Sequence, residues 1–320
     1  MMRIVALAFL LAPFVATAEP LVLSLPVACR LGESCWVMNY VDDDPGLAAR
    51  DFRCRPRSYD GHDGTDFAIR DAVAMAKGIG VVAAADGIVQ GSRDGEPDGV
   101  YAGGDKAAVT GKECGNGLVL RHDGGLETQY CHLRRGSLVV AKGERVSRGQ
   151  ALGLVGSSGM SAFPHLHLTV RRDGKPLDPF TGQAASEGCG QAGRPLWAEA
   201  PPYEAAALYA AGFSDHLPSD TEIKADAASR APRRDQPLLL WGALFGAAPG
   251  DTVRLRITGP GGVAVVDHSE KLDRAQAWAF RTAGRKPPAG GWPPGSYDGE
   301  ATLTRDGEPP QLRRLTAEMR

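Results

Sequence analysis

Through much of this chain, apolar runs are soon stopped by a glycine or an Asp-Gly pair. That punctuation restricts the fold to short strands joined by tight turns. From Ser58 to about Gly182 the runs are GTDFAI, VVAAADGIVQGS, GLVLRHDGG, LETQYCHLRRGSLVV, ERVSRGQALGLVGSSG and HLHLTVRRDG, the pattern of an antiparallel β domain. A later group, LLLWGALFG, DTVRLRITGP, GGVAVVDHSE, AWAFRTAG and GSYDGEATLTRDG, has the turn spacing of a small β-sandwich. The 41 glycines, 23 prolines and 7% aromatic content fit this better than they fit long helices. Helical periodicity is weak nearly everywhere, and the run EAAALYAA at Glu204–Ala211 is where a short helix is expected. The fold expectation is mainly β, divided into a segment at 19–57, an antiparallel β domain at 58–182, a linker at 183–215 and a β-sandwich at 216–320.

The N-terminus reads as an export signal at 1–18. Arg3 precedes an apolar stretch from Ile4 to Val15, and Ala16-Thr17-Ala18 forms a small-residue cleavage pattern. The apolar run is too short for a permanent span, and no later segment is long enough for one. A formal charge of −2, from 36 basic and 38 acidic residues, gives no global field for nucleic acid or an anionic membrane. Six cysteines follow the signal, an even count that in an exported chain argues for disulfides. A zinc-thiolate cluster is disfavoured because no CxxC pair exists. Cys114 and Cys131 flank two strands around a His122–Gly125 turn and are expected to pair across that hairpin. The other four allow three connectivities, among which Cys29–Cys35 with Cys54–Cys189 has a slight preference. Segment 19–57 shows no long regular element and is expected to wrap the next domain, held by its cysteines.

Chemistry concentrates in two segments about a hundred residues apart, GHDGTDFAI at Gly61–Ile69 and FPHLHLTV at Phe163–Val170. On a strand His165 and His167 point to one face while Leu166 and Leu168 point to the core. His62 and Asp66, in a loop entering a strand, supply a nitrogen and an oxygen donor of the kind zinc accepts. His132, in YCHL, is the third element. Each signal is modest alone, since His-x-x-x-Asp pairs arise by chance and a lone strand-end histidine is usually structural. Four of the seven histidines falling in three β segments shifts the balance toward a site. His216 and His268 are isolated and read as ordinary surface or satisfied residues. Asp63, Asp71 and Asp86 read as solvated.

The order HDGTD, YCHLRRG, RGQALGLVGSSGMSAFPHLHLTV resembles the lysostaphin-type (LytM-like) zinc endopeptidases, which cut peptide bonds in bacterial peptidoglycan. The resemblance covers Tyr59 to about Pro179. It implies a LytM-like catalytic domain with one Zn2+ per chain, held by His62, Asp66 and His167, and with His132 and His165 assisting catalysis. It further implies peptidoglycan stem peptides as the substrate, here the D-alanine–meso-diaminopimelate crosslink, and the cysteines with the export signal favour a periplasmic location. Gly149, Gly153, Gly156 and Gly159 would allow positive φ in a loop lining a groove, and Arg121, Arg134, Arg135, Arg171 and Arg172 would be available to substrate carboxylates. In some members of the family a pro-segment asparagine fills the open zinc position, a role Asn39 is placed to take. The competing readings are a non-catalytic relative that binds wall or activates a separate amidase, and an adaptor led by the C-terminal sandwich.

Overall fold

The computed structural model describes residues 21–99, 101 and 104–320, so the expected export signal at 1–18 lies outside the described residues. The first domain contains strands β1 (Cys35–Asn39) and β2 (Thr65–Ile69), helix α1 (Ala72–Lys77), β3 (Gly80–Val82), β4 (Gly87–Arg93), β5 (Asn116–Arg121), β6 (Leu126–Leu133), β7 (Arg145–Val146), β8 (Ala151–Leu154), β9 (His165–Arg172) and β10 (Lys175–Leu177). The second contains β11 (Ala207–Ser214), α2 (Asp220–Lys224), β12 (Leu238–Ala247), β13 (Thr252–Thr258), β14 (Ala264–Lys271), β15 (Gln276–Arg285), β16 (Gly295–Thr304) and β17 (Gln311–Met319).

Eight strands form one antiparallel sheet in the order β1-β2-β9-β6-β5-β4-β7, with β10 on the free part of β9. Strand alternation divides it into two faces. Val37, Phe67, Leu166, Leu168, Val170, Tyr130, Leu118 and Leu120 bury one face in a core that also takes Val81 of β3 and Leu152 of β8. The other face carries Asn39, Asp66, His165 and His167, with Asp66 of β2 opposite both Asn39 of β1 and His167 of β9. The predicted hairpin is β5–β6, closed by the Cys114–Cys131 disulfide, and Cys29–Cys35 and Cys54–Cys189 complete the three bonds.

Two sequence expectations are corrected here. Segment 19–57 does more than wrap the domain, because its Cys35–Asn39 stretch is an edge strand of the main sheet, buried at all five residues. EAAALYAA forms no helix. Residues 207–214 are the first strand of the sandwich, paired along β12, so the linker does not extend to 215. Intrinsic propensity is a weak prior that packing overrides. Tyr209 stacks on Phe245 at 4.3 Å and meets Trp36 of the first domain at 5.7 Å, contacts a helix would forfeit. Sheets β11-β12-β15 and β14-β13-β16-β17 enclose their own core as a sandwich.

The sandwich is packed against the first domain rather than tethered to it. Trp36, Met38 and Ala68 share a buried cluster with Tyr209, Trp241 and Phe245. The buried Arg57 guanidinium donates to the carbonyls of Val37 (2.7 Å) and Glu204 (3.1 Å), joining the two domains. Phe163 extends this contact to the site, lying 6.3 Å from Phe245 and stacked on His165 at 4.6 Å.

Behind the sheet edge, the carboxyls of buried Asp43 and Asp178 face each other, leaving Asp43 Oδ1 and Asp178 Oδ2 without a donor. Burial, then the facing Asp178 charge, pushes Asp43 up to about 9, and burial pushes Asp178 up to about 7. Both lie above the ordinary aspartate value near 3.9, so between about pH 4 and pH 9 the folded chain holds protons that the unfolded chain has released. Their contribution to stability is therefore complete below about pH 4 and is lost as pH rises through about 7 and 9. Asp43→Asn supplies an N–H donor in place of the titrating proton. It is expected to flatten this decline and to stabilise the protein at pH 8 by about 1–2 kcal/mol. Thermal melts of both proteins from pH 5 to 9 check this, and parallel curves would contradict it.

Candidate metal and catalytic centre

Asp66 sits mid-strand on β2, opposite His167 of β9 and Asn39 of β1, so sheet register alone brings these three together. His62 arrives from the loop before β2, which is pinned from behind: Asp42 accepts from Gly61 N (2.9 Å) and donates its own N–H to the His62 carbonyl (2.8 Å). The donor atoms of His62, Asp66 and His167 all lie within 4.8 Å of one another and could hold a metal ion. Asp66 Oδ1 is 2.9 Å from His167 Nδ1 and 3.2 Å from His62 Nε2. The other oxygen, Oδ2, accepts from Asn39 Nδ2 at 2.8 Å. The side-chain amide nitrogen of Asn39 is thus engaged in orienting the carboxylate.

His132 reaches the same place by a less regular route. Strict alternation along β6 would turn it with Thr128 and Tyr130 toward the core. A register shift opposite Asn116–Leu118 and a left-handed φ of 64° at His132 instead swing its imidazole to the site face, while Leu133 returns to the core. Its backbone N–H bonds the Cys114 carbonyl at 2.8 Å, beside the disulfide. A non-glycine residue in this conformation is strained and is kept there by its surroundings. His132 and His165 have ring centroids 4.6 Å apart.

Each imidazole has one nitrogen tied away from the centre. Nδ1 donates to the Tyr40 carbonyl in His62 (2.7 Å), to the Ser158 carbonyl in His132 (2.8 Å) and to the Phe163 carbonyl in His165 (2.9 Å), so Nε2 faces inward in all three. His167 is reversed, with Nε2 held by Thr169 Oγ1 (3.0 Å) and Asp63 Oδ1 (3.2 Å), and Nδ1 inward. Such outer partners fix tautomer and ring orientation.

Burial alone would raise the Asp66 carboxyl, but the imidazoles of His62 and His165 and the hydrogen bonds from His165 and His167 hold it well below the ordinary range. Burial, reinforced by the imidazoles of His165 and His167, holds His132 well below the ordinary histidine value and so neutral. Burial opposes a charge on His167 too, yet hydrogen bonds to Asp63 and Asp66 raise it to about 9. The centre opens on a groove of ≈ 410 Å³ lined by Tyr59, Glu113, Gln129, Met160, Thr169 and Arg171 among others.

All five predicted site residues converge. The predicted groove glycines divide: Gly159 has a positive φ of 71° and abuts Gly115, whereas at Gly156 an added Cβ would lie 2.3 Å from Arg134 N. Asp63 and Asp71 are not merely solvated, since Asp63 bonds His167 and Asp71 caps α1 by accepting from Ala74 N. Half-buried His216 lies between Asp215 (2.7 Å) and Glu222 (2.9 Å), outside the site.

The chain matches Peptidase family M23 over residues 60–179. Its similarity runs to peptidoglycan DD-endopeptidase ShyA of Vibrio cholerae, 36% identical over 117 residues, which are 37% of this chain and 22% of that protein. DD-carboxypeptidase/endopeptidase Mpg of Neisseria meningitidis is 43% identical over 67 residues, 21% of this chain and 15% of that protein. The chain therefore spans about a fifth or less of the length of these curated relatives. Among solved structures, a zinc containing peptidase from Vibrio cholerae is 28% identical with a TM-score of 0.28, covering 46% of this chain and 39% of that one. Among the described residues no helix is long and apolar enough to cross a membrane.

Proposed function

We propose that this protein is a zinc-dependent endopeptidase that hydrolyses peptide crosslinks in bacterial peptidoglycan, with the D-alanine–meso-diaminopimelate bond as substrate and the periplasm, reached through the export signal at 1–18, as its location. The observation that carries this reading is the convergence of His62, Asp66 and His167 with two further buried imidazoles, His132 and His165, beside a groove onto which His62, His132 and His167 open. Two imidazoles and a carboxylate are a donor set suited to zinc, and three protein ligands are the number that leaves a catalytic site open. The M23 match and the names of the two endopeptidase relatives support the same substrate class.

When bound, zinc would supply Lewis acidity toward the scissile carbonyl and acidify a water. The chain's own side chains do the remaining work. Neutral His132 presents an unprotonated Nε2 that can take a proton from the attacking water and return it to the leaving amine. His165, whose Nε2 stands 3.5 Å from Asp66 Oδ1, is placed in its doubly protonated form to stabilise the oxyanion of the tetrahedral intermediate. The groove admits an extended peptide, and Phe163, stacked on His165, is braced by Phe245 of the sandwich.

Digestion of purified sacculi by the full chain, with metal analysis, tests this. Zinc near one per chain and new uncrosslinked muropeptides are expected, and the product masses identify the bond. Wall binding or amidase activation without direct cleavage would overturn the assignment in favour of a non-catalytic relative.

A further inference from the structure

His167 departs from the other three imidazoles of the centre in two ways. It alone presents Nδ1 inward, and its outer nitrogen is held by side chains rather than by a main-chain carbonyl. Asp63 is the hub of that support. Its Oδ1 accepts from His167 Nε2 (3.2 Å) and from Thr169 Oγ1 (3.4 Å), and its Oδ2 accepts from Arg171 Nη2 (2.8 Å). Arg171 Nη1 in turn donates to Gln129 Oε1 at 2.5 Å, anchoring the chain of bonds to β6. Both terminal nitrogens of Arg171 are thus engaged by side chains of the protein.

The backbone is shaped for the same contact. A Cβ at Gly64 would lie 2.6 Å from His167 Nε2 and 2.7 Å from the Leu168 carbonyl. Only glycine lets the 62–66 loop close onto the ring and bring the preceding carboxylate to its outer nitrogen. His62-Asp63-Gly64 therefore forms one device: a donor, the support for a distant donor, and the residue that makes room for it.

We propose that Asp63, backed by Arg171, is a positioning residue that fixes which nitrogen of His167 faces the centre and thereby sets the affinity of the site for its cation. The proposal rests on the reading that His62, Asp66 and His167 hold zinc. A carboxylate behind a ligating histidine orients the ring and raises its basicity as a ligand.

The test is zinc affinity by competition with a chromophoric chelator, and the visible absorption of the cobalt-substituted full chain, for wild type, Asp63→Ala, Asp63→Asn, Arg171→Gln and the Asp63→Ala/Arg171→Gln double variant. Asp63→Ala is expected to weaken zinc by about 10–100-fold and to shift the cobalt bands, the size of effect such outer partners have. Asp63→Asn, which keeps an oxygen acceptor, should lose less and keep bands closer to wild type. Arg171→Gln should weaken zinc in the wild-type background and add nothing once Asp63 is alanine, because both act through one contact. An Asp63→Ala affinity within about twofold of wild type, with unchanged cobalt bands, overturns the proposal. Should Asp63→Ala fail to fold, wild-type affinity in both Asp63→Asn and Arg171→Gln overturns it equally. A wild-type chain that takes up no zinc refutes the underlying metal assignment instead, and the two failures are told apart by that control.

Discussion

Alanine at His167 is expected to strip the metal from the purified protein and to lower crosslink cleavage by at least about 10³-fold, since in the proposed mechanism a metal-activated water carries the reaction. His167 Nδ1 is the donor nearest the shared oxygen, 2.9 Å from Asp66 Oδ1 and 3.1 Å from His62 Nε2. Without it one imidazole and one carboxylate remain, fewer than the three ligands of a catalytic zinc site. The sheet itself should survive, because Leu166 and Leu168, which pack the core from the same strand, are untouched. Metal content after dialysis, read beside muropeptide release, measures both halves of the expectation. His62→Ala and Asp66→Ala should behave alike. Full zinc in any of the three would show that the ion is held elsewhere.

The legible part of this centre was the part set by strand periodicity. HLHLTV fixes a common face for His165 and His167, and TDFAI pairs beside it so that Asp66 meets His167 in register. The hairpin between Cys114 and Cys131 was equally local, two alternating runs around an Asp-Gly turn. What the residues did not disclose depends on partners distant in sequence. CWVMN carries no turn signal to mark it as a strand, and its place at the sheet edge is set by pairing with Thr65–Ile69. EAAALYAA has helical composition, yet it lies along β12 because Tyr209 is held between Phe245 and Trp36. Asp63 looked like a solvated turn residue because its partners, His167, Thr169 and Arg171, lie more than a hundred positions away. The adjacent glycine was the one local hint, and its meaning required the His167 ring that fills the space.

The least legible residue leads to the second large effect. His132 is expected to matter for turnover and not for metal, but alanine there would confuse two losses. At a φ of 64° a residue with a Cβ is strained, and the balance against extended conformations changes with the side chain. Asparagine tolerates the left-handed region better than other non-glycine residues and cannot act as a base near neutral pH, so His132→Asn separates chemistry from backbone. It should lower turnover by about 10²–10⁴-fold, the range of a lost general acid–base group, with zinc still near one per chain. His165→Ala should fall in the same range with metal retained, because neither ring belongs to the cluster of three donors. The pH profile adds a check with a definite sign. Burial and the neighbouring imidazoles hold His132 well below the ordinary histidine value, and a bound cation acts in the same direction. Its basic form therefore persists as pH falls through 6.5, and an acid limb near that value must belong to another group. If His132→Asn abolishes such a limb, or if it loses zinc as completely as His167→Ala, then His132 is not the neutral base described here.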